Sequence, residues 1–71
     1  MLLKDFLKAL TNKEDIDLFH IVYEMSSGES IKKAFPYSEI DKLDKYSNKM
    51  VKSFEVYGIG KDCADMYIVI K

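Results

Sequence analysis

Arginine, glutamine and tryptophan are absent from this chain, and cysteine, histidine and proline occur once each. Each shortage closes off a chemistry. All 11 basic side chains are lysines, so no guanidinium is present to grip a carboxylate or phosphate bidentately, or to stack on a base. A bound anion would rest on lysine point charges or on backbone N–H groups. An A/T-rich coding genome produces the same omissions, and that is the plainer explanation of them. The lone Cys63 excludes an intramolecular disulfide, in keeping with a reducing cytoplasm. Lys4, Asp5 and Lys8 interrupt the apolar residues of Met1–Leu10, which is not the pattern of a secretory leader. No apolar run approaches the ~20 residues that span a bilayer. A cytoplasmic protein with no membrane partner is expected.

The same scarcity works against catalysis and metal binding. His20 is the only imidazole, and its neighbours Leu18, Phe19, Ile21 and Val22 suit a core or interface side chain with one hydrogen bond. Cys63 follows Asp62, with Lys61 two residues before it, and lacks the cationic setting that depresses a thiol pKa. Zinc wants three or four Cys, His or carboxylate ligands. The acidic group Glu14, Asp15 and Asp17 lacks the glycine and spaced oxygens of a calcium loop. Gly58-Ile59-Gly60-Lys61 is too tightly spaced for a phosphate loop, which needs four residues between its glycines and a helix after them. No catalytic residue, cofactor or metal is expected, and the chain reads as a non-enzyme.

What is present belongs to a folded protein. Hydrophobic residues make up 48% of the chain, and 11 basic against 12 acidic side chains leave a net charge of −1. That balance disfavours nucleic acid as a partner, because it provides no concentrated basic surface. Seventy-one residues form one domain, residues 1–71. A chain of this size buries only roughly 60% of its unfolded surface, for a stability of roughly 4–10 kcal/mol. Self-association is a common remedy.

Hydrophobic spacing predicts the element order α-β-β-α-β-β. Leu2, Leu3, Phe6, Leu7 and Leu10 recur every three or four residues and mark a helix, with Thr11-Asn12 as its stop. Ile16–Met25 is rich in β-formers and apolar on both faces, so it is expected inside a sheet. Ser26-Ser27-Gly28-Glu29 is a turn. Ser30–Tyr37 then pairs back as a strand that either ends at Pro36 or lies at an edge, although Ile31, Ala34 and Phe35 also fit helical spacing. Ser38 is placed to cap a short helix over Glu39–Tyr46. Strands follow at Met50–Ile59 and Met66–Ile70, the latter inside the sheet. Two successive hairpins predict an α+β domain: a mainly antiparallel four-stranded sheet with one or two short helices on one face. The expected core sets Phe6, Leu7 and Leu10 against Leu18, Val22, Phe54, Val56, Ile68 and Ile70.

Five tyrosines, Tyr23, Tyr37, Tyr46, Tyr57 and Tyr67, are spread over nearly every element. Tyr57 and Tyr67 fall on the last two strands and are candidate cross-strand neighbours. With Tyr23 they are the candidate binding residues, because tyrosine is enriched at protein interfaces. Sheet stabilisation and base stacking beside Lys52, Lys61 and Lys71 are the other readings.

The terminal segments Met1-Leu2-Leu3-Lys4-Asp5-Phe6-Leu7-Lys8 and Met66-Tyr67-Ile68-Val69-Ile70-Lys71 resemble those of short uncharacterised open reading frames in phages and prophages of low-GC Gram-positive bacteria. That resemblance covers the two ends alone. It implies a small accessory protein of a mobile element acting in the host-cell cytoplasm, including the option that it inhibits a host defence component. With no catalytic set, and an aromatic-rich sheet on a chain too short to cover both faces, the expected activity is protein binding, to a second copy of itself, to a host protein, or to both. The alternative is an oligomer that sequesters a small anionic ligand, such as a nucleotide, between protomers. Cys63→Ser should preserve both fold and biological effect; loss of the effect in a folded variant would reinstate thiol chemistry.

Overall fold

The computed structural model describes residues 1–11, 13–58 and 64–71. Helix α1 spans Leu3–Ala9, a 3₁₀ turn spans Lys13–Asp15, and the strands are β1 (Leu18–Glu24), β2 (Ser30–Pro36), β3 (Val51–Gly58) and β4 (Ala64–Ile70). A 3₁₀ helix, Tyr37–Tyr46, connects β2 to β3. The α+β class and the element order agree with the sequence pattern, and residues 30–36 are strand rather than helix.

The four strands lie in the order β2-β1-β4-β3. Both hairpins, β1/β2 and β3/β4, are antiparallel. Between them β1 and β4 run parallel, so the sheet is mixed. The connection after β2 carries the chain to the opposite edge, and β4 then returns inward beside β1. Both strands expected inside the sheet are inside it, and the Pro36 strand is an edge.

Alternation along each strand sorts the sheet into two faces. On the helix side, register sets Phe35, Phe19, Met66 and Val56 in one row, and Lys33, Ile21, Ile68 and Phe54 in the next. Of these, Phe35, Phe19, Met66, Ile21 and Ile68 are buried in one cluster with Ile70, Ile16, Leu3 and Phe6 of α1, and Leu43 of the 3₁₀ helix. Both helices therefore cover the same face. Phe19, Ile21, Ile68 and Ile70 are almost wholly enclosed, each removal from water stabilising the fold by about 1.5–3 kcal/mol.

Two core assignments change. Leu18 and Val22 lie on the opposite face, and Phe19 and Ile21 take their place. Both faces of β1 are apolar, so period-two alternation alone left the choice of buried side open. Phe54 and Val56 do face the helices, but remain 53% and 52% exposed. The seven-residue α1 is too short to cover β3: Phe6 touches Phe54, with ring centroids 4.9 Å apart, and nothing comparable follows.

Local chemistry explains the ends of the elements. The Lys13 ammonium donates to the carbonyls of Leu7 and Leu10, at 3.0 and 3.3 Å, satisfying acceptors left open at the end of α1. Asn12, expected as a stop, lies outside the described residues. In the β1/β2 turn, Gly28 adopts φ +92° and its N–H reaches the Met25 carbonyl at 3.0 Å. That left-handed conformation favours glycine. The second helix begins one residue after Pro36 and is kinked at Glu39, so Ser38 lies inside it rather than at its cap. Pro36 supplies a preset φ at this junction.

The termini are tied to β3. Leu2 bridges Met50, the Val51 N–H reaches the Met1 carbonyl at 2.8 Å, and Met50 and Lys71 exchange backbone hydrogen bonds. Phe19→Ala should cost about 3–5 kcal/mol, and Val22→Ala less than ~2 kcal/mol, in urea unfolding. Equal losses would contradict the assignment of faces.

Candidate functional site

The face turned away from the helices is the candidate site. Register places Leu18, His20 and Val22 of β1 beside Asp65, Tyr67 and Val69 of β4. Pro36, Ala34 and Lys32 of β2 flank one side, and Tyr57, Glu55 and Ser53 of β3 flank the other. Three apolar side chains, Leu18, Val22 and Val69, thus sit half-buried at its centre.

An aromatic chain crosses this surface. The His20 and Tyr67 rings stack with centroids 4.1 Å apart and planes 5° from parallel. Tyr67 in turn meets Tyr57 edge-on at 5.3 Å, a favoured aromatic geometry. The two tyrosines are diagonal neighbours, since Tyr57 pairs with Asp65 and Tyr67 with Glu55. The cross-strand contact expected from sequence is present. Tyr23 is not part of it. It lies on the helix side, edge-on to Tyr46 at 6.3 Å, with its hydroxyl accepting from the Lys49 ammonium at 3.0 Å. Alternation decides this, because Tyr23 is an odd-numbered β1 residue like Phe19 and Ile21.

Polar groups fix the aromatic chain in place. His20 Nε2–H donates to Asp65 Oδ2 at 3.0 Å. Asp65 is 92% buried, and this bond satisfies a carboxylate that would otherwise be costly to enclose. The hydrogen bond to Asp65 and the stack on Tyr67 hold the imidazole in one orientation. Its one hydrogen bond matches the expectation from sequence. The partner was not legible, because Asp65 stands 45 residues away on a strand whose parallel pairing no local pattern announces. Hydrophobic spacing starts the last strand at Met66, whereas β4 begins at Ala64, so Asp65 reads as a connecting residue and its burial has no local signal.

At the β3 side, the Tyr57 hydroxyl donates to the Glu55 carboxylate. That hydrogen bond, and then the adjacent negative charge, raise the phenol above its ordinary value of 10.0. Lys52 Nζ reaches Glu24 Oε1 at 2.8 Å and closes the lower end of the face. Between Tyr57, Tyr67, Val69 and Val22 lies a shallow groove of about 500 Å³. A smaller hollow, lined by His20, Val22, Lys32, Lys33, Ala34 and Tyr67, adjoins it.

Among the described residues, no group of three or more His, Cys, Asp or Glu side chains is arranged to hold a metal ion. No helix among them is long and apolar enough to cross a membrane. Cys63 and the Ile59-Gly60-Lys61 segment lie outside the described residues. Compared with known proteins, the chain matches no family model, no curated protein and no solved structure.

The site can offer a flat aromatic and aliphatic surface with fixed polar edges. Glu55→Gln should remove the charge beside Tyr57 and lower its phenol pKa toward the ordinary value. Site-resolved NMR titration of the Tyr57 ring measures this, and an unchanged midpoint would contradict the contact.

Proposed function

We propose that this chain is a non-enzymatic protein-binding module that self-associates and presents the open face of its sheet to a partner. One observation carries the reading: both helices cover the same side of a four-stranded sheet, leaving the His20–Tyr67–Tyr57 aromatic chain and Val22 and Val69 without cover. Tyr67 is 37% and Tyr57 49% exposed. Large, rigid side chains of this kind supply contact area at low entropic cost, and tyrosine is prominent among interface hot spots. The stack and the Asp65 hydrogen bond hold the surface ready before a partner arrives, which reduces the ordering cost of association. The resemblance of the terminal segments supports a mobile-element accessory role, in which the bound partner is a host defence component.

A second reading has its own support. Lys32 stands at the rim of the smaller hollow, next to the His20–Tyr67 stack, pairing a cation with an aromatic surface. A small anionic ligand such as a nucleotide, held there between protomers, fits that combination. Mass spectrometry of small molecules released from purified, denatured protein separates this reading from the first.

The test of the main reading is differential capture from host extract. Tyr67→Ala should retain the fold and weaken binding by ~30-fold or more, the effect of losing a hot-spot side chain. Ile31→Ala, on the helix side, should leave it unchanged. A partner held equally by both variants would exclude the open face.

A further inference from the structure

The two edges of the sheet differ in how they meet solvent. On β2, adjacent Lys32 and Lys33 project to opposite faces and Pro36 ends the strand, features that guard an edge against pairing. On β3 the start of the edge is taken by the N-terminal segment, the Val51 N–H reaching the Met1 carbonyl and Leu2 bridging Met50, while every residue from Lys52 to Gly58 is exposed. Exposed large apolar residues gather there: Phe54 and Val56 on the helix side, Tyr57 on the open side, and Met50 and Met1 at 44% and 63% exposure beside its start. Because they flank the strand on both faces, neither a ligand nor a protein lying on one face would cover them. A further strand alongside β3 would cover both.

We infer that the missing strand is β3 of a second copy, paired antiparallel over Lys52–Val56 about a twofold axis at Phe54, so that two sheets join into one of eight strands. This rests on the self-association proposed above and names its surface. Antiparallel self-pairing must match helix side to helix side, which puts the axis through a residue rather than between two. An axis at Glu55 would set that carboxylate against its own copy, a destabilising arrangement. An axis at Phe54 instead stacks the two Phe54 rings on the helix side and brings Glu55 opposite the Lys52–Ser53 bulge. Glu55 then faces Lys52 of the other copy twice over, a charge complementarity built into one strand. A parallel, in-register pair would oppose like charges throughout. The contact is isologous, and the guarded β2 edges stop assembly at two.

Sedimentation equilibrium of the full chain at micromolar concentration should give twice the 8.2 kDa chain mass. Val56→Lys should give a monomer with unchanged circular dichroism. Glu55→Lys should weaken the dimer by roughly tenfold, from like charges in two symmetric pairs, and Glu24→Lys/Lys52→Glu/Glu55→Lys, which reverses the intrachain Lys52–Glu24 pair as well, should recover it. Tyr67→Ala should leave the dimer intact. Amide exchange of the unmodified protein provides a check independent of any variant: β3 amides should lose protection on dilution, and β2 amides should not. A monomer, a dimer lost in Tyr67→Ala, failure of the charge swap, or β3 exchange indifferent to concentration would each overturn edge pairing. None of these outcomes decides partner capture by the open face, which the Tyr67→Ala capture assay tests separately.

Discussion

The parallel ladder between β1 and β4 is the contact on which the rest of the molecule depends. Its register sets Phe19 beside Met66 and Ile21 beside Ile68 on one side, and His20 beside Tyr67 on the other. The same set of backbone hydrogen bonds thereby aligns the core and the aromatic surface. Each hairpin supplies one inner strand, and neither hairpin alone encloses a core: a two-stranded hairpin is marginal in water. Joining them at the inner strands creates a surface wide enough for α1 and the 3₁₀ helix to cover. The long separation of the paired residues makes this the step with the greatest loop-closure cost. The chain offsets that cost with a nearly continuous apolar seam.

Short helices then determine what is left uncovered. Leu3 and Phe6 of α1 and Leu43 of the 3₁₀ helix reach the two central strands, and over β3 the cover thins to the Phe6–Phe54 contact. The outer half of β3 is left with Phe54 and Val56 half in water, next to a face that bears Tyr57 and Tyr67. A chain of 71 residues has too little material to close both faces and both edges of a four-stranded sheet. The economy of the fold and its capacity for contact have the same origin.

The open face is organised rather than merely exposed. Asp65 is buried and bonded to His20, His20 is stacked on Tyr67, and Tyr67 meets Tyr57. Each member restricts the next, so the surface is rigid across three strands. Polar groups at its margins, Glu55, Lys52, Glu24 and Lys32, give it direction. The chemistry of the face differs on the two sides of the aromatic chain: Lys32 near β2 and Glu55 near β3.

Local patterns in the sequence determined the elements. Leu3, Phe6 and Leu7 at helical spacing, the β-branched runs in β1 and β4, the glycine in the first hairpin and Pro36 at the end of β2 act over a few residues, and each can be read in isolation. Their order then implied two hairpins and an α+β sheet. Tertiary structure alone decided which side of β1 is buried, because Leu18 and Val22 are as apolar as Phe19 and Ile21 and only packing with Leu3, Phe6, Ile16 and Leu43 distinguishes them. It also separated Tyr23 from Tyr57 and Tyr67, and brought Asp65 to His20. These outcomes depend on a parallel pairing between segments far apart in the chain. Such a pairing is chosen by the total apolar area it buries, a property of the whole assembly that no short stretch of residues carries.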